Sequence, residues 1–134
     1  MAATETTSPK IKRILIVEDL EDNRESLREL LALALSAEVD VAEDGMQAME
    51  QLVAREYGLV ITDLRMPRAN GMWLLRELRE RKLTCPVIVV TGHGSIKEAV
   101  EAMRLGAYDF LTKPLDPHHL VLLAERVFRE GKSD

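Results

Sequence analysis

Cysteine is almost absent from this sequence, and long apolar runs are absent altogether. Cys85 is the only cysteine among 134 residues, so no disulfide can form within the chain. No stretch is long and apolar enough to act as a signal sequence or a membrane-spanning helix. We therefore expect a cytoplasmic protein that does not engage a membrane.

Basic residues are outnumbered by acidic ones, and aromatic side chains are scarce. Lysine and arginine number 18 against 23 acidic residues, which gives a formal net charge of -5, and aromatic residues make up only 4%. Nucleic-acid binding normally draws on a clustered basic surface. We therefore expect no nucleic-acid binding through this chain.

The length and composition predict one globular domain. A chain of 134 residues can bury a single core, and 46% hydrophobic with 31% charged residues is globular rather than disordered composition. Residues 1–10 are polar, Thr-rich and contain Pro9, so we expect a disordered N-terminal tail. The predicted domain then spans residues 11–130, and residues 131–134 form a second loose end.

The remaining sequence repeats a strand-then-helix pattern five times. Apolar residues recur at helical spacing in five segments, and a short run rich in Val and Ile precedes each segment. The first, third and fourth runs are almost purely apolar, as central parallel strands must be, whereas the second and fifth are mixed and suit sheet edges. The prediction is an α/β fold of the flavodoxin-like (βα)5 type, a doubly wound parallel sheet with strand order 2-1-3-4-5. Asn70-Gly71 and Asp116-Pro117 mark the expected starts of the third and fifth helices.

Chemically reactive side chains follow the apolar runs. Glu18 and Asp19 end the first run, Asp63 the third and Thr91 the fourth, and Lys113 comes after the fifth. Parallel strands end at one edge of the sheet, so these residues should meet there. Two carboxylates about 4 Å apart repel by roughly 4 kcal/mol at an effective dielectric of about 20. A cation must therefore sit among them.

Magnesium is the cation that this donor set predicts, because it prefers oxygen ligands and shares its shell with phosphate. Asp19 and Asp63 should bind it directly, and Glu18 through a water. Asp63 is the best nucleophile, since a carboxylate oxygen on the middle strand can attack phosphorus and form an aspartyl phosphate. The Lys113 ammonium would neutralise charge on the phosphoryl oxygens, and the Thr91 hydroxyl would donate a hydrogen bond to them. A cis Lys113-Pro114 peptide bond, which would aim the ammonium inward, is also predicted.

Proteins of three other classes fit the sequence less well. A nucleotide-binding enzyme needs a phosphate-cradling glycine loop, and no GxxxxGK[ST] is present. A haloacid-dehalogenase-type phosphatase needs a second acid two residues after its nucleophile, where this chain has Arg65. A flavin carrier shares the topology, but the acidic cluster would repel the flavin phosphate.

In combination these motifs closely resemble the receiver domain of two-component response regulators, over residues 12–130. The segment Val90-Thr91-Gly92-His93-Gly94 is similar to receivers of nitrogen-regulation-type transcriptional activators. The matching positions are Glu18-Asp19, Asp63 with Leu64-Arg65-Met66-Pro67, Thr91-Gly92, and Phe110 three residues before Lys113-Pro114.

The resemblance implies that Asp63 takes a phosphoryl group from a sensor histidine kinase or a phosphotransfer protein. It implies Mg2+, or Mn2+ in its place, held by Glu18, Asp19, Asp63 and the main-chain carbonyl of Arg65. The chain would catalyse its own phosphorylation and dephosphorylation, without turning over an external substrate. The lifetime of the acyl phosphate would depend on Arg65 and His93.

The same resemblance implies a switch in which Thr91 and Phe110 remodel the surface of helix four, strand five and helix five. That surface would control an output domain or a downstream protein, and phosphorylation could drive homodimerisation. Two alternatives stay open at this point. The first concerns organisation: the chain is either a single-domain regulator or part of a longer protein. The second concerns function: the rival is a receiver-like interaction module that works without phosphorylation.

Overall fold

The computed structural model describes residues 12–66, 68–92 and 96–130. The two predicted tails, Pro67 and His93 lie outside the described residues. Ten elements alternate strictly between strand and helix, as predicted. They are β1 Arg13–Val17, α1 Glu21–Leu35, β2 Glu38–Ala42, α2 Gly45–Ala54, β3 Leu59–Asp63, α3 Gly71–Glu80, β4 Val87–Thr91, α4 Ile96–Arg104, β5 Asp109–Thr112 and α5 Pro117–Glu130.

The five strands form one parallel sheet in the order β2-β1-β3-β4-β5, which confirms the predicted fold. The register aligns the carboxyl ends of the inner strands. Val17 lies opposite Thr62, and Asp63 lies opposite Val90. The residues that follow these strands therefore emerge at one edge of the sheet.

Alternating strand residues supply two separate hydrophobic layers, because successive side chains of a strand point to opposite faces. Leu15 and Val17 pack with α2 and α3 on one face. Ile14 and Ile16 pack with α1 and α5 on the other. Every residue of β3 and β4 is buried, which explains why these runs are almost purely apolar.

The predicted helix starts are confirmed. The Asn70 side chain accepts a hydrogen bond of 3.0 Å from the Trp73 N–H and caps α3. The Asp116 side chain accepts from the His118 N–H at 3.0 Å, and α5 begins at Pro117. Within residues 12–66, 68–92 and 96–130, no helix combines the length and hydrophobicity that crossing a bilayer requires.

The fourth helix turns much of its apolar stripe outward. Ala99 and Ala102 are its buried residues. Ile96 is 76% exposed, Val100 48% and Met103 40%. Phe110 on β5 and Leu122 on α5 are exposed apolar side chains as well.

Candidate functional site

Three carboxylates gather at the carboxyl edge of the sheet. Glu18, Asp19 and Asp63 each offer an oxygen, and these oxygens lie within 4.8 Å of one another. Glu18 and Asp63 are buried, with relative exposures of 5% and 6%, whereas Asp19 is half-buried. The sheet order brings them together, since β1 and β3 are neighbours. An all-oxygen donor set of this kind suits a hard divalent cation such as Mg2+.

Both oxygens of the Asp63 carboxylate accept hydrogen bonds. Oδ1 accepts from the Arg65 main-chain N–H at 3.0 Å, and Oδ2 accepts from the Lys113 Nζ at 2.5 Å. The side chain is therefore oriented from two directions, by the loop that follows its own strand and by the loop that follows β5. A carboxylate held in this way is preorganised for reaction at one defined place.

Lys113 reaches the carboxylates from the end of β5. Its main-chain N–H donates to the Thr91 carbonyl at 2.8 Å, and the Lys113-Pro114 bond is cis, as predicted. Partial burial lowers the pKa of the Lys113 ammonium, but the hydrogen bond to Asp63 and the charges of Asp63, Glu18 and Asp19 outweigh it and raise that pKa. The ammonium therefore stays charged and offsets part of the repulsion among the acids.

Glu18 is held at the end of β1. Its main-chain N–H donates to the Ala42 carbonyl at 3.0 Å, and its Oε2 accepts from the Leu20 N–H at 3.0 Å. Burial raises the pKa of the Glu18 carboxyl, and the nearby charge of Asp63 raises it further, against the lowering effect of the Leu20 hydrogen bond. Ionisation of the Glu18 carboxyl therefore costs free energy, and a nearby cation would lower that cost.

The proposed switch residues lie on the two strands at one side of the sheet. Thr91 ends β4 and is 1% exposed. Phe110 lies on β5 opposite Val89 and is 38% exposed. Arg65 has an exposed side chain, whose Nη2 lies 3.5 Å from the Glu98 Oε2 on α4.

Two further residues shape the site, and sequence reasoning missed the role that each has there. The Arg24 Nη1 donates to the carbonyls of Glu18 at 3.1 Å and Asp19 at 3.3 Å, so the first turn of α1 anchors the acidic pair. Gly71 lets α3 start against the end of β3, because a Cβ there would lie 2.7 Å from the Asp63 carbonyl oxygen. The Asn70-Gly71 pair could have signalled the second. Nothing local singles out Arg24.

A cavity of about 420 Å³ opens beside the carboxylates. Glu18, Asp63 and Lys113 form its polar end, and apolar residues of α1 and of the loop between β5 and α5 form its walls, Leu27 and Leu115 among them. The Asp63 side chain therefore borders this cavity at its polar end.

Comparisons with known proteins agree with this geometry. Residues 14–125 match the response regulator receiver domain family. The chain is 43% identical over 103 residues to the C4-dicarboxylate transport transcriptional regulatory protein DctD of Pseudomonas aeruginosa, covering 76% of this chain and 22% of that protein.

Two solved structures are similar throughout the domain. The receiver domain of NtrX from Brucella abortus is 35% identical, with a TM-score of 0.80, and the alignment covers 87% of this chain and 98% of that one. The beryllofluoride-activated NtrC4 receiver domain dimer is 32% identical, with a TM-score of 0.82 and coverage of 90% and 98%. The chain thus matches whole receiver domains, but it spans only 22% of the length of DctD.

Proposed function

Because the chain belongs to the response regulator receiver domain family, which has a phosphoacceptor role in two-component signalling, we propose that Asp63 is its phosphoacceptor. The observation that carries this proposal is the setting of Asp63: a buried carboxylate, inside a three-acid cluster, with Lys113 donating to one of its oxygens. Among the described residues, no lysine donates to Glu18 or Asp19 in this way. They are better suited to holding a cation.

The reaction that we propose is a phosphoryl transfer from a phosphohistidine. An Asp63 oxygen forms a bond to phosphorus while the bond from phosphorus to the imidazole nitrogen breaks, and the electron pair leaves with the imidazole. The Lys113 ammonium neutralises charge on a phosphoryl oxygen, and the Thr91 hydroxyl donates to another. The Arg65 N–H keeps the carboxylate oriented. Hydrolysis by water at phosphorus later restores the free Asp63.

Receiver domains use Mg2+ at an acidic pocket, and the donors of this chain fit that ion. Asp19, Asp63, Glu18 and the main-chain carbonyl of Arg65 would hold it, with Mn2+ as a substitute. When bound, the ion neutralises the carboxylates and the phosphoryl oxygens. Lys113 alone leaves a net negative charge at the cluster, which supports a need for a second positive charge.

Receiver domains of response regulators interact with histidine kinases and with output domains. For this chain we propose a sensor histidine kinase or a phosphotransfer protein as the donor and a linked or separate output as the recipient of the signal. A cytoplasmic location follows from the donor, because a histidine kinase draws on ATP.

The signal would leave through the outer surface of α4, β5 and α5. Phosphorylation adds about -1.5 to -2 charge at Asp63, which draws the Thr91 hydroxyl toward it and lets the Phe110 ring turn inward. The exposed apolar residues on α4 support a role in contacts with another protein. A phosphorylation-dependent homodimer is one such contact. The activated NtrC4 receiver is itself described as a dimer.

Intact-mass measurement after incubation with acetyl phosphate tests the proposal. We expect a gain of one phosphoryl group in the wild type with Mg2+, and no gain without the metal. Asp63→Asn should remain unmodified, whereas Asp109→Asn, a matched loss of charge on β5, should be modified like the wild type. A label on any side chain other than Asp63 would refute the assignment. Absence of modification in the wild type would favour the phosphorylation-independent interaction module.

A further inference from the structure

Arg65 touches the proposed phosphoacceptor with its main chain and α4 with its side chain. Its N–H donates to the Asp63 Oδ1 at 3.0 Å, while its Nη2 lies 3.5 Å from the Glu98 Oε2 in the first turn of α4. The Arg65 side chain is 71% exposed and that of Glu98 40%. One residue therefore bridges the site and the helix whose surface carries the signal.

The Glu98 carboxylate does not use all of its hydrogen-bonding capacity. Its Oε1 is buried and has no hydrogen-bond partner in the part of the chain that the structure describes. A buried carboxylate oxygen without a donor costs free energy, so this end of the Glu98 side chain is not fixed by a hydrogen bond. Next to the ion pair is a cavity of about 460 Å³, which Arg65, Asn70 and Met72 help to line. The guanidinium has room to move.

Phosphorylation would change the balance of charge around Arg65. A phosphoryl group on Asp63 carries about -1.5 to -2 charges, whereas Glu98 carries one. The ion pair between Arg65 and Glu98 is exposed and therefore weak. A phosphoryl group on Asp63 is a stronger anion next to the Arg65 main chain, so it can replace Glu98 as the partner of the guanidinium. This step rests on the proposed function, because it requires Asp63 to be the phosphoacceptor.

We propose that Glu98 is a positioning residue. It holds the Arg65 side chain before phosphorylation, and after phosphorylation Arg65 leaves Glu98 and binds the phosphoryl group. The unphosphorylated site then presents Arg65 neutralised by Glu98, which weakens its attraction for an anionic phosphodonor. After transfer, Arg65 binds the phosphoryl oxygens and the first turn of α4 loses its contact with the loop that follows β3. Glu98 thereby links the state of Asp63 to α4.

Initial rates of phosphorylation by acetyl phosphate, with Mg2+ and low salt, test the proposal on the full chain. Glu98→Gln should lower the KM for the donor by about two- to fivefold. This is the change in affinity expected from the loss of one solvent-exposed ion pair. The effect should vanish in an Arg65→Met background and shrink with added salt. Glu98→Asp, which keeps the charge, should stay near the wild type. Circular dichroism checks that each variant is folded.

Glu101→Gln is the matched control, because it removes the same charge from an exposed position on the same helix. We expect it to leave the KM unchanged. An equal fall in KM for Glu101→Gln, or for Glu98→Gln without Arg65, would overturn the proposal, since a general charge or structural effect would then explain it. If the wild type is phosphorylated but Glu98→Gln matches it, only this inference fails. If the wild type is not phosphorylated at Asp63, the proposed function fails as well.

Discussion

The Lys113 ammonium lies 2.5 Å from the Asp63 carboxylate, although 50 residues separate them in sequence. The contact joins the end of β5 to the end of β3 across the intervening β4. Lys113 is 40% exposed, whereas Asp63 is almost completely buried. The ammonium is therefore the one positive charge in direct contact with the buried acid among the described residues, and it competes with any bound cation for the same carboxylates.

Replacing Lys113 by Met should raise the affinity for Mg2+ and slow phosphorylation. Loss of the ammonium leaves the carboxylates less neutralised, so the metal gains up to about tenfold in affinity, which corresponds to about 1.4 kcal/mol. Transfer slows because a phosphoryl oxygen loses its cationic partner. Calorimetric titration and intact-mass time courses measure the two effects. Lys113→Arg keeps the charge and should bind Mg2+ like the wild type; tighter binding by both variants would contradict this account.

Mg2+ should stabilise the wild-type chain and not the Asp19→Asn variant. A ligand that binds only the folded state adds about 2.7 kcal/mol at 100 times its Kd. Asp19→Asn removes one donor but also one repelling charge, so the metal-free variant should be more stable than the metal-free wild type. Thermal unfolding with and without Mg2+, at constant ionic strength, measures both changes. A similar gain from Mg2+ in the two proteins would place the metal elsewhere.

Gly71→Ala should destabilise the fold and distort the site. The added Cβ would meet the Asp63 carbonyl oxygen at 2.7 Å and the Leu64 Cδ2 at 2.9 Å, so the start of α3 must shift. Overpacking of this kind costs about 1–3 kcal/mol. Urea unfolding measures the loss, and Gly92→Ala is the control, since a Cβ at Gly92 meets nothing within 4 Å. Equal stability of the two variants would show that the contact relaxes freely.

Local sequence signals were enough to predict the sheet and the residues at its carboxyl edge. Strand ends can be read from where an apolar run meets Asp63 or Thr91. The purely apolar runs identify the central strands, and that assignment suits the flavodoxin-like order. The Asn70 cap is a property of a few neighbouring residues. These features need no knowledge of distant contacts. They could therefore be predicted.

Features that depend on the angle between a helix and the sheet could not be predicted. The helical period identifies α4, but it does not decide that Ala99 is buried while Ile96 is exposed, because both belong to one apolar stripe. Arg24 and Glu98 likewise carry no local signal. Each becomes relevant only through a contact with another element, Arg24 with the carbonyls after β1 and Glu98 with the loop after β3.

The stability that Tyr57 contributes should disappear in alkaline solution. Its hydroxyl donates to the Asp40 Oδ2 at 2.6 Å, and burial, then that hydrogen bond and the charge of Asp40, raise the pKa of Tyr57 from 10.0 to about 12. The fold thus favours the neutral phenol. Its contribution is complete below pH 10.0 and is lost as the pH rises through about 12.

Tyr57→Phe isolates this contribution. At neutral pH the variant should be less stable than the wild type by about 1 kcal/mol, the usual net value of one hydrogen bond. The difference in urea midpoint should narrow steadily between pH 10.0 and about 12, because the wild type alone has a phenol to ionise at this position. Tyr108→Phe is the comparison: burial and the hydrogen bond to Glu130 raise the pKa of Tyr108 as well, but Tyr108 is less buried than Tyr57, so its difference from the wild type should narrow less. A constant difference between wild type and Tyr57→Phe across that range would mean that Tyr57 ionises in the folded state as readily as in the unfolded chain.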